Sequence, residues 1–168
     1  MSGRTTSDAQ HAEQSASWDS LHASALVLGE AGVLIRGPSG SGKSALTLAL
    51  LQLAGDRCLF ARLIGDDRVL IRAQSGRILA QGAPAIHGLV ERRGYGIVGA
   101  PTEACAVVRL VVDLLPQGER GPRLPEEENA KITLRGVDLP RLIFGADSAA
   151  IERAHALLAV LTTSTTRL

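Results

Sequence analysis

Apolar residues along the chain come in short runs broken by glycine-containing polar stretches, the rhythm of strands joined by tight turns. Ala25-Leu26-Val27-Leu28 is followed by Gly29-Glu30-Ala31-Gly32, which reads as a turn, and then by Val33-Leu34-Ile35. The pair predicts a β-hairpin whose second strand feeds a glycine-rich loop. Beyond that loop the pattern changes. Ser44 to Ala54 is dense in Ala and Leu with no breaker, and Gly55 follows, which predicts a buried helix closed by a C-terminal glycine.

Leu63-Ile64 and Val69-Leu70-Ile71 predict two strand pieces around Gly65-Asp66-Asp67. Gln74-Ser75-Gly76 is a turn signal ahead of Ile78-Leu79. Gly88 to Gly99 is punctuated by glycine and carries Glu91, Arg92 and Arg93. Ala106 to Leu115, rich in Val and Leu, predicts a buried strand. Pro116 to Asn129 is polar and predicts a long loop, in which Glu126-Glu127-Glu128 reads as a solvated face. Ile132 to Phe144 predicts two short strands, and Ser148 to Leu161 a C-terminal helix. Strands with two major helices make the fold class α/β. There are too few helices for a regular βαβαβ array, and the hairpins require antiparallel pairing, so a mixed sheet is expected.

Size and composition narrow the picture. The chain has 168 residues, enough for one domain, and no internal repeat. Aromatic residues are only 2% against 45% apolar, so the core must be built from Ala, Val, Leu and Ile. A formal net charge of +1 gives no electrostatic reason to expect nucleic acid or a membrane as partner. The apolar runs are too short to span a bilayer. Residues 1–20 are polar, without the apolar segment of a signal peptide, and predict a loosely packed or disordered tail ahead of a domain over 21–168. Cys58 and Cys105 are too far apart for a metal-binding pair and read as reduced, partly buried thiols, which makes a cytoplasmic setting the expectation.

The chemistry concentrates at Gly37-Pro38-Ser39-Gly40-Ser41-Gly42-Lys43-Ser44, a full match to G-x-x-x-x-G-K-[ST] between an apolar strand and a helix. Such a loop turns its backbone N–H groups around phosphate oxygens, and the following helix adds its positive dipole end. Lys43 would reach the outer phosphates of ATP and the Ser44 hydroxyl would ligate Mg²⁺. Lys43 is one of only two lysines, the other being Lys131. A second acid is needed for the metal, and another group to activate the acceptor. Asp66-Asp67 and Asp113, at the end of an apolar strand, both qualify. No Asn-Lys-x-Asp base-reading motif of GTP-binding switch proteins occurs.

Taken in order, Gly37 to Ser44, Asp66-Asp67-Arg68-Val69 and Glu91-Arg92-Arg93-Gly94-Tyr95-Gly96-Ile97 resemble the catalytic domain of HPr kinase/phosphorylase, and Ala83-Pro84 also fits. The resemblance covers about Ala23 to Leu158. It implies transfer of the γ-phosphoryl of ATP to a serine of HPr, the phosphocarrier of the sugar phosphotransferase system. It also implies a P-loop variant fold similar to that of phosphoenolpyruvate carboxykinase, and a hexameric homo-oligomer. By this resemblance Asp67 is the acceptor-activating base, with Asp66 beside it. Glu91 joins Ser44 on Mg²⁺, His22 matches a histidine ahead of the first hairpin, and Arg123 most nearly matches a catalytic arginine.

The chain departs from the family pattern in three places. Full-length members carry a domain ahead of the kinase domain, so a short, catalytic-domain-only member is expected here. The segment between the P-loop helix and Asp66 is longer than usual. Gly145-Ala146-Asp147-Ser148 stands where the family has a Pro-Gly-Arg-Asn type segment tied to the reverse reaction, so phosphorolysis is not implied. Two rivals remain: a small-molecule kinase with Asp113 as metal acid, and a nucleotide-sensing module without catalysis.

Overall fold

The computed structural model describes residues 17–84, 88–92, 94–122 and 130–164. Eleven strands and two helices lie among them. In chain order they are β1 (Asp19–Leu21), β2 (Ala23–Leu28), β3 (Ala31–Arg36), α1 (Lys43–Asp56), β4 (Ala61–Gly65), β5 (Val69–Gln74) and β6 (Arg77–Gly82). Then follow β7 (Leu89–Arg92), β8 (Gly96–Gly99), β9 (Cys105–Leu114), β10 (Lys131–Leu134), β11 (Val137–Phe144) and α2 (Ala150–Ser164).

Nine strands form one mixed sheet, ordered β1-β5-β6-β9-β3-β2-β4, with β11 also beside β9 and β10 beside β11. β9 is its hub. It runs parallel to β3 over Val108–Asp113, antiparallel to β6 through its first half, and parallel to β11 over Val111–Leu114. The predicted hairpin is present: β2 and β3 pair from Ala23↔Arg36 to Leu28↔Ala31. β7 and β8 form a separate two-stranded ribbon.

All six residues of β2 are buried because both faces of the sheet are covered. Successive side chains in a strand point to opposite faces. Leu26, Leu28, Val33, Ile35, Leu110 and Val112 therefore meet Leu46, Leu50, Leu157 and Leu158 of the two helices. Ala25, Val27, Leu34 and Val111 point the other way and meet Ile71, Ile78 and Leu139 of other strands, so the sheet curls over its own second face. Each such leucine or isoleucine contributes about 1.5–3 kcal/mol on burial. No aromatic residue is among the fully buried ones, as the composition required.

Three local expectations need correction. The helix runs through Gly55 to Asp56, and the left-handed residue past its end is Cys58, with φ 54. Cys58 and Cys105 are both exposed rather than partly buried: one sits in the turn past α1, the other starts a strand at the sheet's rim. The N-terminal tail gives way to structure before Leu21. β1 begins at Asp19 and pairs with β5, while Trp18 lies 4.6 Å beneath the Arg72 guanidinium.

Candidate active site

β3 ends at Arg36, and the glycine-rich loop carries the chain into α1 at Lys43. Gly37 has φ 151, and a Cβ there would lie 2.6 Å from the Leu114 carbonyl oxygen and 2.7 Å from Ser41 Oγ, so the loop can close only over glycine. Gly42 precedes the helix with φ 97, and its carbonyl accepts the Leu46 N–H at 2.9 Å. Ser41 is buried, and among the described residues its Oγ has no hydrogen-bond partner. A cradle that a Cβ would fill, holding an unsatisfied hydroxyl and opening on a helix N-terminus, fits a polyphosphate.

Lys43 is 6% exposed and folds back over the loop. Its Nζ donates to the carbonyls of Gly37 at 2.9 Å and Pro38 at 3.1 Å, and lies 2.9 Å from His22 Nε2. Burial pushes its ammonium below its ordinary pKa, against the raising effect of Asp67 and then Asp66.

Asp66 and Asp67 reach this lysine through strand pairing. β4 lies antiparallel to β2 with Gly65 opposite Ala25, so the turn after β4 falls beside the residues that precede β2's middle. Ser24 Oγ donates to Asp66 Oδ1, and both residues are buried. Asp67 takes φ 65 and is exposed. His22 Nδ1 lies 3.0 Å from Asp67 Oδ1 and 3.1 Å from the Asp67 carbonyl oxygen. One imidazole thus joins Lys43 to Asp67. With Nδ1–H donating to Asp67, Nε2 is free to accept from Lys43, and one neutral tautomer satisfies both contacts.

Asp113 is placed differently. It is the penultimate residue of β9, opposite Arg36, with Oδ1 accepting from Arg36 Nε at 2.8 Å and Oδ2 accepting from Arg36 Nη2 at 2.7 Å and Arg141 Nε at 2.6 Å. Burial alone would raise its pKa. Hydrogen bonds and charge from Arg36, then Arg141, outweigh that and hold the carboxyl below its ordinary value.

Glu91 is exposed on β7, whose ribbon packs against α1, the helix carrying half-buried Ser44. No group of three or more His, Cys, Asp or Glu side chains able to hold a metal occurs among the described residues. Mg²⁺ commonly takes one or two protein ligands with phosphates and water, so a serine hydroxyl and a single carboxylate suit it without such a cage. Arg123 and Arg93 lie outside the described residues.

Sequence reasoning passed over Ser24, Arg36, Arg141 and Arg153. Arg153 had a readable signal: it falls at helical spacing with Ala154, Leu157 and Leu158, on the buried stripe of α2. The other three carry no local signal, because their partners lie 28 to 77 residues away.

A strand, a glycine loop and a helix opening on lysine, with a parallel neighbour strand carrying an aspartate near its end, make this a P-loop α/β domain. The chain matches the model of the HPr Serine kinase C-terminal domain over residues 13–105 and belongs to that family. It is 41% identical over 76 residues to the HPr kinase/phosphorylase of Mycoplasma mycoides subsp. mycoides SC, covering 45% of this chain and 22% of that protein. It is 38% identical over 122 residues to the HPr kinase/phosphorylase of Geobacillus thermodenitrificans, covering 66% of this chain and 37% of that protein. The matched part thus spans only 22% and 37% of these relatives' length. Among solved structures it is similar to the Hpr(Ser) kinase/phosphatase from Coxiella burnetii, with a TM-score of 0.71 at 20% identity over 89% of this chain and 97% of that chain. At that identity the likeness shows the fold, a mixed α/β architecture.

Proposed function

We propose that this domain is an ATP- and Mg²⁺-dependent protein-serine kinase whose acceptor is the phosphocarrier HPr. The observation that carries the reading is the bridge Lys43–His22–Asp67, with contacts of 2.9 and 3.0 Å. It sets an exposed carboxylate one imidazole away from the lysine of a phosphate-binding loop.

The roles follow from the chemistry. A serine hydroxyl is a weak nucleophile at neutral pH, and Asp67, open to solvent, accepts its proton as attack begins. His22 holds the Asp67 carboxylate in orientation. Asp66, held by Ser24, stays behind it as a fixed negative charge. Lys43 exchanges its contacts to the Gly37 and Pro38 carbonyls for phosphate oxygens, and the loop N–H groups from Gly37 to Ser44 bind the rest of the polyphosphate. Ser44 and Glu91 would hold Mg²⁺, which when bound neutralises charge on the transferring phosphoryl group. Arg123 is proposed to add positive charge to the transition state. A homo-oligomer and a cytoplasmic setting complete the proposal.

The small-molecule kinase reading is weaker on one specific ground. It needs Asp113 as metal acid, and that carboxylate already accepts three hydrogen bonds from two arginines.

The test combines the purified protein with Mg-ATP and an HPr from the same organism and follows intact mass. One phosphate on a serine is expected, lost in Asp67→Asn and Lys43→Ala and kept in Asp113→Asn. ATP binding without a mass shift would overturn the HPr assignment and favour the sensor or the small-molecule kinase.

A further inference from the structure

Helix α2 carries a buried cation that the chemistry above does not use. Arg153 is 6% exposed. Its Nε donates to Ser148 Oγ at 3.1 Å, and its Nη1 donates to the Ser41 carbonyl oxygen at 3.4 Å. A Cβ on Gly42 would sit 3.6 Å from the same Nη1, so the guanidinium lies directly against the last peptide before α1. Among the described residues no carboxylate forms an ion pair with it.

An unpaired buried charge is costly, and natural proteins keep one only where something supplies the opposite sign. The loop that Arg153 touches has the geometry for a polyphosphate, which carries that sign. The contact also orients backbone. In a trans peptide the C=O and the following N–H point in opposite directions. With the Ser41 carbonyl turned toward Arg153, the Gly42 N–H is turned away from it. The partnerless Ser41 hydroxyl is a second polar group at the same peptide.

We propose that Arg153 is a positioning residue of the phosphate loop. It holds the Ser41–Gly42 peptide with its N–H facing the nucleotide phosphates, and its charge offsets theirs through the loop. This rests on the nucleotide reading of the loop, though not on HPr as acceptor.

Calorimetric titration of the wild type, Arg153→Met and Arg153→Lys with Mg-ATP, beside their ligand-free melting temperatures, tests it. Arg153→Met is expected to bind Mg-ATP about tenfold more weakly, with a melting temperature unchanged or raised, because a buried unpaired charge has been replaced by an apolar chain. Arg153→Lys keeps the charge without the two-pronged grip and should recover part of the affinity. Met binding within twofold of wild type overturns the inference. So does an affinity loss that comes with a matching fall in melting temperature and that lysine does not relieve, since that marks a scaffolding role alone. A wild type that binds no Mg-ATP would instead remove the nucleotide reading itself.

Discussion

His22 works through two contacts of opposite character. It accepts from a buried ammonium and donates to an exposed carboxylate, so its ring is fixed at both nitrogens although its side chain is 49% exposed. His22→Ala is expected to lower kcat about 10²-fold, with little change in melting temperature, because a half-exposed ring contributes little packing. Steady-state phosphorylation assays beside thermal melts check this. Asp113 is the contrary case, a carboxylate bonded to two arginines. Asp113→Asn should cost about 2–4 kcal/mol by leaving two half-buried guanidinium groups underpaired, read from denaturant midpoints. The pH dependence follows the same logic. A carboxyl whose folded pKa is depressed contributes stability that is fully present above its unfolded value of 3.8 and is lost as pH falls through the folded value. The wild type should therefore lose more stability than Asp113→Asn between about pH 4 and lower pH.

At the scale of single elements, α1 shows how a chain ends a helix without the residue best suited to it. The Leu59 N–H reaches the Ala54 carbonyl at 2.8 Å and the Cys58 N–H reaches the Gly55 carbonyl at 3.1 Å, the paired bonds of a Schellman ending with Cys58 in the left-handed position. Gly55 sits inside the last turn, with nothing within 4 Å of an added Cβ. Two substitutions should each stabilise by about 0.5–1 kcal/mol: Gly55→Ala, by raising helix propensity, and Cys58→Gly, by relieving the left-handed cost. Were Gly55 the closing residue instead, alanine there would destabilise, so a melting curve of Gly55→Ala decides between the two. The turns Ser75-Gly76 and Arg135-Gly136 are two-residue connections with positive φ at both positions, the geometry that matches hairpin twist.

The whole molecule hangs on β9, which connects the loop-bearing strand β3 to both wings of the curled sheet. The two strands approach so closely at Gly32 that a Cβ would sit 2.4 Å from the Val107 carbonyl oxygen. Gly32→Ala must push β3 and β9 apart and is expected to cost about 2 kcal/mol. That is a fall of roughly 4–8 °C in melting temperature for a chain of this size. The antiparallel pairing of β4 with β2 has a consequence for the site as well: it delivers Asp66 and Asp67 to the same end of the sheet as the loop.

What could be read from the chain alone was whatever neighbouring residues decide together. The hairpin, the phosphate loop, the helix after it and the acidic pair are each set by spacing within about a dozen residues, where turn chemistry and hydrophobic period act. The family resemblance, too, rests on such contiguous segments. Tertiary structure alone decided which acid faces the lysine. His22 meets Asp67 across 45 residues because β2 and β4 pair, and Asp113 accepts from an arginine 77 residues away. Arg153 reaches Ser41 across 112 residues. Those pairings depend on the register and curl of the sheet, which are properties of all its strands at once and leave no mark at any single position.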